Sequence, residues 1–436
     1  MAKVDLEKMR RATLRPHDKV LEGTLIVFQI VAMLLLSFKD GEFDSQALML
    51  TAAIPVVTLI VLRGFTALWP VDRVLLTLVM FLCSVSVITL SAIARSPSTP
   101  ITQAVYICIG LVAMMIGIVF IRAFKAWRKW MVPLMLLSLA LVALPIIMGS
   151  EVNGAKNWIL IKAGGRTIFS IQPSEVVKVA LVVSLASCFE DRQNRLKSWC
   201  GVAFAAILCV VLLGQKDLGA LVLYFLTTML LYWMATNDLI VTLLGFGAGV
   251  GGAVGAYQMF EYLRTRIAVW RNPWIDPEGA GYQLIQASIA IGSGGWTGMG
   301  LGLGFPRDIP LYSSDFIYSA ICEEFGLIFA LMLLGVYAVI VMRSISIGMN
   351  SKKRFYALVT FGISIMMGLQ TLLIVGGNIR LIPLTGVVLP FVAEGGSAMI
   401  SCMAAMGLVL GISSINAEAA DKDLEKAQLQ GGVEIK

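Results

Sequence analysis

Runs of roughly 18 to 22 apolar residues, each closed by a short polar break, recur from Leu21 to Ile412. At about 1.5 Å of rise per residue, one such run crosses the ~30 Å hydrocarbon layer of a bilayer as a helix. The pattern predicts helices over 20–37, 45–63, 74–95, 102–122, 130–149, 173–190, 198–214, 217–236, 239–260, 316–342, 355–376 and 386–413. The expected fold is an all-α polytopic membrane bundle of about twelve helices, with a large loop, 260–315, between helices 9 and 10. Two segments depart from the rhythm, Gly149 to Gln172 and the longer Phe260 to Ser314. The second is glycine-rich from Gly292 to Gly304 and holds the apolar stretch Leu284 to Ile291, which suggests a re-entrant or interfacial piece rather than a free loop.

The polar breaks set an expected orientation. The start carries Lys3, Lys8, Arg10, Arg11, Arg15 and Lys19, and no small-residue cleavage site follows the first run, so the first helix is read as retained. With that start in the cytoplasm, four of the five inner loops are rich in Lys and Arg, as the positive-inside rule requires. An even helix count returns the tail to the same side and puts both long departures outside. The expected location is the cytoplasmic (inner) membrane, with both termini in the cytoplasm.

Composition narrows the chemistry. Only 14% of the 436 residues are charged and 58% are hydrophobic, whereas soluble domains carry about a quarter charged residues. The formal charge of +7 sits in short loops and reads as a topology signal, so nucleic acid is not an expected partner. The seven cysteines lie in or beside apolar runs without metal or redox spacing, and no metal site is expected. The one histidine is His17, in the charged start, which excludes a His-based triad and leaves acid–base work to carboxylates.

Ionisable groups at membrane depth cost at least ~2.5 kcal/mol, so those present mark a cavity, a partner or a function. Glu175 and Lys178 are three apart on one helix face and read as an ion pair, structural or coupling in role. Asp315 heads a helix directly after the long loop, where it serves equally as a helix cap or as a general base facing the outer leaflet. Glu323 lies two turns on, near the same face. Arg264 and Arg266 accompany Tyr262, Trp270 and Trp274, a set that fits an interfacial belt or a grip on a diphosphate. A nucleotide-binding reading of the glycine run fails for want of a preceding strand.

Taken in order, the motifs resemble the SEDS family (shape, elongation, division and sporulation) of RodA and FtsW type. They are Gly154-Ala155-Lys156-Asn157-Trp158, Gln172-Pro173-Ser174-Glu175, Gln215-Lys216-Asp217-Leu218-Gly219 and Arg264-Thr265-Arg266. Then follow Gly281-Tyr282-Gln283 with Ile291-Gly292-Ser293-Gly294-Gly295, Ser314-Asp315-Phe316-Ile317, Glu323-Glu324-Phe325-Gly326, Pro383-Leu384-Thr385-Gly386 and Leu389-Pro390-Phe391. The resemblance covers about residues 150 to 415. It divides the chain into a cytoplasmic segment 1–19, helices 20–149 including two beyond the family's usual ten, a core 150–415, and a cytoplasmic tail 416–436. Departures are Ser313-Ser314 before Asp315, Lys216 in place of proline, Glu394 in place of tyrosine, and Arg380 where small or apolar residues are usual.

The resemblance implies a peptidoglycan glycosyltransferase that uses lipid II, with Asp315 as the catalytic residue. Arg264, Arg266, Lys156, Gln283 and Ser293 are the expected substrate-binding residues, and Glu175, Lys178, Asp217, Glu323, Glu394 and Arg380 the structural or coupling ones. Expected partners are lipid II, a class B penicillin-binding protein and other elongation or division machinery. A divalent cation, magnesium or manganese, bridging the diphosphate to a carboxylate would suit the chemistry, and no other cofactor is expected. The competing classes are a flippase for a lipid-linked precursor and a non-catalytic scaffold for a penicillin-binding protein.

Overall fold

A computed structural model describes residues 16–38, 45–96, 98–123, 127–152, 155–163 and 166–429. Most of the basic start, Gly154 and the last residues of the tail lie outside the described residues. Among the described residues the helices are α1 (Pro16–Ser37), α2 (Ser45–Leu68), α3 (Arg73–Ile93), α4 (Ser98–Ala123), α5 (Trp127–Met148), α6 (Pro173–Phe189) and α7 (Arg195–Gly214). They continue with α8 (Leu218–Thr236), α9 (Leu239–Met259), α10 (Glu261–Arg271), α11 (Tyr282–Gly294), α12 (Ile317–Met349), α13 (Arg354–Asn378) and α14 (Gly396–Leu429). Eleven of these are long and apolar enough to cross a membrane. The remaining expected span is α6, whose 17 residues reach about 26 Å. The protein is therefore an all-α polytopic membrane bundle.

Three segments differ from the hydropathy reading. The segment 149–172 folds into a small antiparallel sheet, β1 (Ser150–Val152), β2 (Ala155–Ala163) and β3 (Arg166–Ile171), in the order β1-β2-β3. Ile159 faces Ile171 and Leu160 faces Ser170 across β2 and β3. The last span begins at Gly396 and not at 386: Gly386 (φ 76) and Phe391 (φ 63) are left-handed, and Pro383 and Pro390 interrupt any helix. Its far end runs on through the charged tail to Leu429, tied to α4 by an Arg122–Glu418 pair of 2.7 Å.

Burial orders the bundle. The apolar windows of α3, α13 and α14 are 78%, 72% and 83% buried, against 6% for α9, so the first three form the centre and α9 stands at the edge. The first two helices are bolted to this centre. Buried Gln29 of α1 donates to Thr58 of α2 (2.9 Å) and to Ser84 of α3 (2.7 Å). Phe28 lies against Phe81 of α3 and stacks on Phe329 of α12, with centroids 6.2 Å apart in the second case. Glu22 pairs with Arg73 at 2.7 Å.

α12 is bent at Gly326, whose φ of 84° and ψ of 170° fall in a region essentially reserved for glycine. The glycine-rich stretch after α11 crosses the bend. Leu327 N–H donates to the Gly295 carbonyl, and Met299 N–H to that of Glu323. A Cβ on Gly298 would lie 2.3 Å from the Glu324 carbonyl oxygen, so the glycine run is there to let two backbones touch.

Candidate functional site

The sheet, the turn between α7 and α8, the loop 379–395 and the head of α12 gather at one pole of the bundle. Three of the sequence motifs meet there on a single carboxylate. Asp217 Oδ2 accepts from Asn157 Nδ2 (2.9 Å), Gln172 Nε2 (3.0 Å) and the Ser174 hydroxyl (2.9 Å), while Oδ1 caps α8 by accepting from Ala220 N–H (3.2 Å). A buried carboxylate with every strong acceptor direction in use is a structural hub. Changing Asp217 to Ala leaves buried Asn157 and Ser174 and half-buried Gln172 without an acceptor, and a loss of at least ~3 kcal/mol is expected, read as a lower thermal midpoint in detergent.

Lys156 belongs to the same neighbourhood. Its amine donates to the Ile146 carbonyl at the end of α5 (2.9 Å), and its backbone N–H to the Gln215 carbonyl. Lys216 next to Asp217 has φ 63°, a conformation closed to proline, and its ammonium lies 5.7 Å over the Tyr262 ring. One helical turn into the membrane from the hub, buried Lys178 pairs with Glu175 at 2.5 Å and also donates to Gln370 (3.2 Å). Gln370 in turn donates to the Val388 carbonyl (2.7 Å), so this pair pins the loop 379–395 to α6 and α13.

Asp315 sits at the head of α12, half-buried. The helix begins at Ile317 with Phe316 in the cap position and no side-chain capping bond, so the carboxylate is not used as a cap. Its backbone is fixed instead. Asn378, the last residue of α13, donates to the Asp315 carbonyl (2.8 Å) and accepts from Ser319 N–H (3.2 Å) and its hydroxyl (2.9 Å). Phe316 anchors below in an apolar cluster with Val269, Leu284, Ala287, Ala290 and Ile309, which fastens α10 and α11 beside the carboxylate. Burial raises the Asp315 carboxyl to about 6, against the opposing pull of the Ser314 hydroxyl and the Arg266 guanidinium.

The other expected residues arrange themselves around this point. Arg266 donates to the Leu384 carbonyl (3.3 Å) and acts electrostatically on Asp315. Arg264 is two residues away on α10, hence about 200° round the helix, and is exposed. Gln283 lies on the first turn of α11 next to the Phe316 cluster, whereas Ser293 is ten residues further on, about 15 Å along the axis, bonded to its own helix at Ala290. Glu323 and Glu324 face the glycine stretch: Glu323 accepts from Phe305 N–H (3.0 Å) and Glu324 from Gly302 N–H.

Arg380 and Glu394 frame the loop from both ends. Trp270 Nε1 donates to the Arg380 carbonyl (3.0 Å), and Arg380 itself sits at φ 60°. Glu394 N–H donates to the Ser313 carbonyl (2.8 Å), and its carboxylate lies near Tyr106 of α4. The sequence reading missed Asn378 and also Tyr312, whose hydroxyl accepts from Arg95 N–H (3.1 Å) and whose ring lies under the Arg95 guanidinium (5.9 Å). An asparagine closing an apolar run directly after Gly376-Gly377 was the available signal for the first.

The site is thus the pole of a polytopic membrane bundle where Asp315, half-buried and with its carboxyl raised to about 6, lies within electrostatic reach of Arg266. The chain belongs to the FtsW/RodA/SpoVE family of cell cycle proteins, which it matches over residues 65–418. It is 33% identical over 323 residues to the probable peptidoglycan glycosyltransferase FtsW of Geobacter sp. (strain M18), covering 72% of this chain and 86% of that one. It is 29% identical to the peptidoglycan glycosyltransferase RodA of Mycobacterium tuberculosis, covering 73% and 71%, and 32% identical to the stage V sporulation protein E of Bacillus subtilis, covering 71% and 86%. Among solved structures it resembles RodA, the rod shape determining protein of Thermus thermophilus, with a TM-score of 0.59 at 24% identity, covering 79% of this chain and 96% of that one. A chain from the structure titled "Structural coordination of polymerization and crosslinking by a peptidoglycan synthase complex" gives 0.67 at 24% identity, covering 79% and 98%. The family match starts inside the last turn of α2, which leaves ten spans within it and α1 with nearly all of α2 outside.

Proposed function

We propose that the chain is a peptidoglycan glycosyltransferase that polymerises lipid II into glycan strands at the outer face of the cytoplasmic membrane. The observation that carries this reading is the Asp315 carboxyl: not used for capping, half-buried, raised to about 6 and within electrostatic reach of Arg266. A general base works best with its pKa near the operating pH. Family membership and three relatives named for this activity or for sporulation support the assignment.

In the proposed reaction two lipid-linked disaccharides keep their polyprenyl tails in the bilayer while their sugars reach the pole of Asp315. The carboxylate takes the proton of the acceptor's GlcNAc 4-hydroxyl as that oxygen attacks the donor's MurNAc anomeric carbon. The bond to polyprenyl diphosphate breaks with inversion, and Arg266 neutralises the departing charge, with Arg264 and Lys156 as longer-range contributors. Among the described residues no three His, Cys, Asp or Glu side chains cluster as a metal site, so a bridging magnesium or manganese ion would draw most of its oxygen ligands from the diphosphate and water. The solved relative whose title speaks of polymerisation and crosslinking supports pairing with a class B penicillin-binding protein.

The test is glycan-chain formation by the purified protein from purified lipid II, alone and with a candidate transpeptidase. Polymer of more than a single disaccharide is expected in at least one arm; its absence in both would leave the scaffold reading. The same assay carries a pH prediction. Because the base must be deprotonated, the rate should be level between pH 7 and 8 and fall about tenfold per unit below a midpoint near 6.

A further inference from the structure

Far from Asp315 the bundle holds a ligand-sized space. A cavity of about 330 Å³ is walled by Phe120 of α4, Trp127, Trp130 and Leu137 of α5, and Ser184 and Ser187 of α6. That volume falls in the ~300–1,000 Å³ range of small-molecule sites. Trp130 and Leu137 are exposed, so the space opens on the flank of the bundle where lipid would run. Phe355, stacked on Trp127 at 4.2 Å, opens α13, and Asn378 closes it beside Asp315. The two sites are therefore about 35 Å apart along that helix.

Two features exceed what an interfacial aromatic belt explains. Ser184 and Ser187, one turn apart, are 1% and 6% exposed, yet neither hydroxyl has a hydrogen-bond partner. Most membrane-helix hydroxyls in this protein bond back to a carbonyl four residues earlier, as Thr228, Thr360 and Ser364 do. The two serines instead line an apolar cavity with unmet polar capacity, which is costly unless a ligand supplies acceptors or donors. The rim is cationic: the Lys353 ammonium lies 5.9 Å over the Trp127 ring and 5.6 Å over that of Tyr356, and Lys129 is exposed nearby.

We propose that this cavity is a binding site for an anionic glycerophospholipid of the leaflet opposite the reaction. One acyl chain fills the apolar space, its ester oxygens accept from the Ser184 and Ser187 hydroxyls, and its phosphate pairs with Lys353. The proposal stands apart from the glycosyltransferase reading, because its readout is lipid binding and not polymer formation.

Thermal midpoints of the delipidated, purified full-length protein, titrated with phosphatidylglycerol, phosphatidylethanolamine or a polyprenyl phosphate, decide it. Phosphatidylglycerol should raise the midpoint saturably and at lower concentration than phosphatidylethanolamine. Ser184→Ala/Ser187→Ala should move the phosphatidylglycerol midpoint concentration up roughly fivefold per hydroxyl. The lipid-free variant should be no less stable than wild type, since it loses only unpartnered groups. Lys353→Gln should erase most of the preference for the anionic lipid, again about fivefold. Unchanged phosphatidylglycerol binding by the double variant, or saturable binding of polyprenyl phosphate with none of phosphatidylglycerol, overturns the assignment.

Discussion

Asp315→Asn should abolish glycan polymerisation while the protein still folds, with a rate loss of about 10²- to 10⁴-fold, the usual contribution of a positioned general base. The amide keeps the size and polarity of the carboxyl, and the contacts that hold this turn use the Asp315 backbone carbonyl, not its side chain. The fold should even gain where the reaction is lost. A carboxyl whose pKa is raised by folding to about 6 contributes stability that is complete below its unfolded value of about 4 and lost as pH rises through 6. The Asn variant has no such loss. Its thermal midpoint should therefore equal that of wild type near pH 4 and exceed it at pH 7.5. A variant that polymerises lipid II at wild-type rate sinks the base assignment, and one that is unstable at both pH values shows a structural role instead.

Gly326→Ala should be among the most damaging single-methyl changes in the chain. At φ 84° and ψ 170° an L side chain costs about 1–3 kcal/mol in the backbone alone. The added Cβ would also lie 2.3 Å from the Gly298 nitrogen and 2.5 Å from the Trp296 carbonyl oxygen, so one of two touching backbones must move. A total of about 3 kcal/mol or more is expected, read as a fall in thermal midpoint in detergent. Ala at Gly335, which has open space around it on the same helix, is the control and should be neutral or slightly stabilising. Equal midpoints for the two variants would mean that the bend at 326 is not held by its neighbours.

Hydropathy made the bundle legible because lipid leaves a chain few options, and eleven of the twelve expected spans reappear as long apolar helices. It erred where apolar content and membrane crossing part company. Leu389, Phe391 and Val392 are as buried as any span residue, but they lie in a folded loop inside the protein, where burial looks the same to a hydropathy window. The β2 strand hid for the opposite reason: its nine residues, AKNWILIKA, are too short and too polar at the ends to register as a span. At the site, Asp315 and Arg266 were readable as residue types, but their electrostatic coupling was not. Nor could spacing reveal that Asn157, Gln172 and Ser174 converge on Asp217, since side chains so far apart in sequence meet only after five elements have packed. The choice between cap and base at Asp315 needed the start of α12 to be located to within a residue.

The bolt through Gln29 has a consequence for anyone trimming this chain to its family-matched region. Hydrocarbon cannot replace a lost amide as water can, so excising α1 and α2 would leave the Ser84 hydroxyl only its bond to the Met80 carbonyl and bare the Phe81 and Phe329 rings at a new lipid boundary. A ten-span fragment would not be a minimal version of this protein. It would be a differently surfaced one, with the flank of its bent helix resting on solvent lipid instead of on its own chain.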